Sequence, residues 1–133
     1  MVQATYFLDV LTSKGYHRQE LKPTISKNGG ICDRVITYVN AEEAVKAIKA
    51  DGGVAVMAHP GQSKTYDLIP DLVAVGLDGI EKYHPDHDEH DYEMIDQLTK
   101  EYQLIQTTGS DFHHTYGPNR PFGQLVMETL PFK

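Results

Sequence analysis

Cysteine is almost missing from this chain: Cys32 stands alone among 133 residues. A single thiol can form no internal disulfide, so the fold must be held by its core, and a reducing compartment is implied. Also missing is any apolar run of membrane-spanning length. The N-terminus carries no basic stretch followed by a hydrophobic core, so no secretory signal is expected. The chain is therefore read as cytoplasmic, with no membrane partner. Positive charge is scarce as well. Twelve Lys and Arg against 19 Asp and Glu give a net charge of −7, which argues against a broad nucleic-acid-coating surface. A nucleotide or short oligonucleotide held through metal ions stays open.

What remains is enough for one domain with a real core and too little for two comfortable ones. Apolar residues make up 40% and aromatics 9%, the balance of a globular chain. Histidine is abundant: there are seven, and five of them lie between His84 and His114.

The opening stretch places Ala4, Phe7, Val10 and Leu11 at helical spacing, with Gly15 as the stop. Gln19 to Lys22 predicts a short second helix, and Arg34 to Val39 a short strand or an extended connection. From Asn40 the pattern sharpens. Asn40 can cap a helix running to Ala50, with Glu43 placed for a capping box. Val54 to Ala58 is a continuous apolar run, the pattern of a strand covered on both faces, and it leads into His59-Pro60-Gly61. The unit then repeats. Asp67 to Val75 reads as a helix that tolerates Pro70 in its first turn. Gly79 to Tyr83 reads as a strand leading to His84-Pro85-Asp86-His87. Asp88 caps a third helix with Ile95, Leu98 and Tyr102 on its buried side. Leu104 to Thr107 is a further strand, and Gly123 to Glu128 one more.

Helix and strand alternating at this pitch imply right-handed crossovers and a parallel sheet, and such sheets bind ligands beyond the carboxyl ends of their strands. Three successive strands here end in His59, in Glu81/His84/His87, and in Asp111/His113. Neighbouring strands ~4.8 Å apart would bring those loops to one rim. Carboxylate oxygens and imidazole nitrogens are ordinary ligands of zinc, manganese or iron, and the Asp-x-His spacing of Asp111 and His113 can send both side chains toward one ion.

The runs Gly53-Val54-Ala55-Val56-Met57-Ala58-His59-Pro60-Gly61, Gly76-Leu77-Asp78-Gly79-Ile80-Glu81 and Gly109-Ser110-Asp111-Phe112-His113 resemble the later motifs of the PHP (polymerase and histidinol phosphatase) family of metal-dependent phosphoesterases, in the family's order. The similarity spans roughly Asn40 to Gly123. It is strongest to the stand-alone branch acting on nucleotides or the 5′ ends of short oligonucleotides. The resemblance implies an α/β fold, a distorted TIM-like seven-stranded β/α barrel with two or three divalent ions at the strand carboxyl ends. It divides the chain into residues 1–39, a helical insertion remnant, and residues 40–133, the C-terminal part of the barrel. It also implies metal ligation by His59, Asp111 and His113. His87 is the counterpart of a histidine that faces the substrate phosphate.

The family's barrel begins with a His-x-His strand, and none precedes His59 here; the one earlier histidine is His17. The chain is thus expected to correspond to the C-terminal portion of such an enzyme. It is either a hydrolase fragment or a non-catalytic metal-binding module completed by a partner chain, a second copy or the missing N-terminal half. Uncovered barrel edges predict self-association.

Every assignment has a plainer alternative. His59 before a proline could cap a strand, Asp111 could brace a turn, and His87 could be a solvated histidine in an acidic loop. His84 is an alternative occupant of the phosphate-facing position, and Glu81 could orient a histidine. Arg34, Lys64 and Arg120 are candidate phosphate clamps on charge alone, with an idle surface cation as the alternative. His90 and His114 read as surface residues, and Cys32 as an inert small one.

Overall fold

In the computed structural model the described residues are 10–17, 19–21, 37–113 and 121–126. The chain divides into two compact units, Met1–Tyr38 with His113–Asn119 and Val39–Phe112 with Arg120–Lys133. In the first, residues 10–13 and 19–21 are helical, and Gly15 turns the chain at φ +91°. The expected strand at Arg34 to Val39 falls largely outside the described residues, and residues 37–39 have no regular structure.

The second unit carries the site. Its first helix, α1 (Ala41–Ala50), begins where Asn40 accepts the Glu42 N–H at 2.8 Å, satisfying one of the free donors of the first turn. The strand β1 is only Val56–Met57. Val54 is half exposed and Ala55 is buried, so this run is not covered on both faces as its composition suggested; the chain reaches the sheet late and leaves it quickly. A helical turn the sequence did not announce, α2 (Pro60–Ser63), follows at once. A 3-10 turn (Tyr66–Leu68) then leads into α3 (Ile69–Ala74), with Pro70 in its first turn as expected. β2 is Gly79–Tyr83. α4 (Glu89–Tyr102) opens on a reciprocal capping box between Asp88 and Asp91, and β3 is Ile105–Thr108.

The three strands are parallel in the order β1-β2-β3, with Val56 opposite Gly79 and Ile80 opposite Gln106. Pairing slips between Glu81 and Tyr83. Lys82 sits in that irregularity and reaches Asp96 of α4 at 2.5 Å. Ile69, Ile80 and Ile95 are fully buried and form the core with Val45, Ala55, Leu72 and Leu77. Burying each such isoleucine contributes ~1.5–3 kcal/mol. The strand expected at Gly123 to Glu128 is not formed where it is described. Residues 122–125 turn, Gly123 has φ +73° and the Gln124 N–H meets Pro121 O at 3.3 Å; residues 127 and 128 lie outside the described set. No helix among the described residues is long and apolar enough to cross a membrane.

Candidate metal and phosphate site

Parallel pairing puts the carboxyl ends of β1, β2 and β3 on one side of the sheet, and the next residues of each strand meet there. His59 follows β1 by one intervening residue. Its backbone is left-handed (φ 31°, ψ 59°), a conformation that costs a non-glycine residue ~1–2 kcal/mol. Glu81 of β2 offsets part of that cost by accepting the His59 N–H at 2.8 Å. Directly after β2, His84 is fully buried, and its ring lies 5.1 Å from that of His59, centroid to centroid. Asp111, in the loop after β3, brings Oδ2 to 4.0 Å from His84 Nε2.

Asp86 joins this group. One ligand atom from each of His84, Asp86 and Asp111 lies within 4.8 Å of the others. That spread is wider than the ~3.4 Å between neighbouring ligands of a tetrahedral zinc ion, so the three side chains must close in to share one. Asp86 was missed in the sequence, although its place two residues after His84 was available as a signal.

Proton positions follow from the hydrogen bonds. His84 Nδ1 accepts the Asp86 N–H at 3.2 Å, so the neutral ring carries its proton on Nε2. That Nε2 is buried and has no hydrogen-bond partner, and the same is true of His59 Nδ1. Burial, with repulsion from His59 and His87, holds the His84 imidazole below its ordinary value against the pull of Glu81 and Asp111. His84 is therefore a neutral donor at pH 7. Among the described residues, His84, Asp86 and Asp111 bring their ligand atoms near enough together to close on one divalent cation, and beside the His84 ring His59 Nδ1 is a buried nitrogen without a partner. The donor set of imidazole and carboxylate suits zinc, manganese or iron.

His87 differs from its expected place. It is 8% exposed, and both ring nitrogens are occupied: Nδ1 donates to Lys82 O at 2.7 Å and Nε2 accepts the Gly61 N–H at 3.2 Å. A ring bonded to backbone at both ends has no nitrogen left for a phosphate oxygen, whereas His84, its alternative, keeps a buried Nε2 without a partner. Glu81 reaches His59 through the backbone N–H and not the ring. His113 is half-buried in the first compact unit. Arg34, Arg120 and His114 lie outside the described residues. Lys64 is exposed and 3.8 Å from Asp91, and His90 is exposed.

No family model matches the chain. It is 48% identical over 115 residues to the phosphoribosyl 1,2-cyclic phosphate 1,2-diphosphodiesterase of Eggerthella lenta, covering 84% of this chain and 44% of that protein. It is 36% identical over 102 residues to a 3′,5′-nucleoside bisphosphate phosphatase of Chromobacterium violaceum, covering 71% and 34%. Among solved structures, a Bifidobacterium adolescentis protein assigned as a metal-dependent phosphoesterase superposes with a TM-score of 0.75 at 23% identity, over 92% of this chain and 46% of the other. An amidohydrolase of Chromobacterium violaceum, crystallised with sulfate and without metal, gives 0.63 at 28% identity, over 85% and 42%. The chain thus spans less than half the length of the relatives it matches.

Proposed function

The chain belongs to the PHP-type metal-dependent phosphoesterases, and from that premise we propose that it forms part of a phosphoester-hydrolysing centre. The substrate class is a small phosphorylated molecule, a nucleotide or a short oligonucleotide. The proposal extends to the finer architecture: a distorted β/α barrel of which these strands are the later part, preceded by a helical insertion remnant over residues 1–39. The rest of the barrel comes from an N-terminal region or from another chain.

In this reading His59, Asp111 and His113 hold divalent ions, manganese, zinc or iron, two or three in the complete site. Such ions supply Lewis acidity and lower the pKa of a bound water toward ~7. The residues of this chain do the rest. Glu81 fixes the turn that carries His59. His84, neutral and protonated on Nε2, donates to a phosphoryl oxygen or to the leaving group, and its burial excludes water from that bond.

The observation carrying the proposal is the pair of buried, unpartnered nitrogens, His59 Nδ1 and His84 Nε2, on rings 5.1 Å apart, with His84 grouped with Asp86 and Asp111. Unsatisfied buried polar atoms cost ~1–3 kcal/mol each, so a site that keeps two is built for a ligand. Metal analysis with a phosphomonoesterase and phosphodiesterase assay tests it. Bound metal and turnover, both lost in Asp111→Ala, are expected. Metal without turnover would favour the second reading, a non-catalytic metal-binding module; absence of metal binding would end both.

A further inference from the structure

The turn that carries His59 is fastened from behind. Its first helical residue, Pro60, has no N–H, so Gly61 supplies the first free donor of α2. That donor is taken by His87 Nε2 at 3.2 Å, and His87 is itself tied by Nδ1 to Lys82 O at 2.7 Å, in the irregular part of β2. Gly61 has no room for a side chain. A Cβ at that position would lie 2.5 Å from Asp91 Cγ and 2.6 Å from each carboxylate oxygen. Asp91 is in turn immobilised: it accepts the Tyr66 hydroxyl at 2.8 Å and the Asp88 N–H at 3.1 Å. On the other side of the turn, Glu81 holds the His59 N–H. Residues flanking α2 at both ends, His59 and Lys64, are left-handed, a conformation that persists only when neighbours over-determine it.

We propose that His87 is a positioning residue: through its hydrogen bond to the Gly61 N–H it holds the His59 turn in the left-handed conformation that sets where the His59 ring is carried, beside His84. The inference rests on the reading of His59 as a cation ligand. It gives His87 a role in cation affinity and none in phosphate contact. A ligand turn that must be held against its own backbone preference loses affinity when the holding bond is cut, by the factor of ten to a hundred usual for groups that orient metal ligands.

The bond itself is testable without metal. In the 15N-labelled protein, a through-hydrogen-bond coupling between the Gly61 amide nitrogen and His87 Nε2 is expected, with the His87 proton on Nδ1. His87→Ala should move the His59 and Gly61 amide resonances and weaken zinc binding at least tenfold in competition with a chromophoric chelator. In His87→Gln the side-chain oxygen can still accept the Gly61 N–H, and most of that affinity should return. Inorganic phosphate binding to the zinc-loaded protein should change less than twofold in His87→Gln. Absence of the coupling, or a loss of phosphate affinity with zinc affinity intact, overturns the proposal. If the unmodified chain binds no zinc, the metal reading of the site fails while the resonances still decide the clamp: movement of His59 in His87→Gln by less than in His87→Ala supports it, and no movement in either sinks it.

Discussion

Glu81 Oε1 occupies the space that a Cβ on Gly109 would fill, while the other oxygen of the same carboxylate accepts the His59 N–H. The loops after β1 and β3 are thus tied through one side chain of β2. Gly109→Ala must push Glu81 aside. The expected cost is about 1–3 kcal/mol of stability, together with weaker cation binding because the His59 turn loses its support. Urea denaturation and a metal titration on the same variant check both; unchanged values would show that Glu81 has an equally good second position.

Ile95 and Ile80 are both fully buried, on α4 and β2. Ile95→Ala should destabilise by about 2–5 kcal/mol, removing methylenes and leaving a cavity. Against a total stability of ~5–15 kcal/mol that loss can unfold a domain. Ile95→Val, at about 0.5–1.5 kcal/mol, provides the milder comparison. Chemical denaturation at fixed temperature measures the difference.

Asp78 ties α1 to the start of β2. It accepts both 2.7 Å contacts from Lys49 Nζ and the Ala55 N–H at 2.7 Å. The hydrogen bond from Lys49, then that from Ala55, holds its carboxyl below the usual carboxylate range. A depressed folded pKa means the unfolded chain binds the proton more readily, so the contribution is whole above the unfolded value of ~3.9 and is lost as pH falls below it. Both side chains are about a third exposed, so solvent screens the pair and its share is under ~1 kcal/mol. Asp78→Asn should lower stability slightly at pH 7 and flatten the fall below pH ~4. Urea midpoints measured from pH 3 to 7 in both proteins test this; parallel curves would contradict it.

Cation loading should raise the thermal midpoint. A ligand at a hundred times its Kd stabilises by about 2.7 kcal/mol. Zinc or manganese added to the chelator-treated protein should therefore increase Tm, and chelator should reverse the increase. The effect should be lost in Asp111→Ala, judged against that variant's own unloaded midpoint. Equal increases in both proteins would place the cation elsewhere.

The sequence by itself determined the elements whose causes are local. Asn40 and Asp88 start α1 and α4 because their side chains meet backbone donors two or three residues away, and β2 occupies the residues its pattern marks. Strand parity and the parallel order followed from the alternation, and with them the rim on which His59, His84 and Asp111 meet. What only the tertiary structure decided is which nitrogen faces what. His84 and His87 are three residues apart in one motif, yet one ring is left with an unpartnered Nε2 and the other is spent on the backbone. The difference comes from Gly61 and Asp111, 26 and 24–27 residues away in sequence. The shortening of β1, the α2 turn and the contacts made possible by Gly61 and Gly109 have the same origin. Each depends on atoms brought together by the crossovers between strands, and no local preference of the chain encodes those distances.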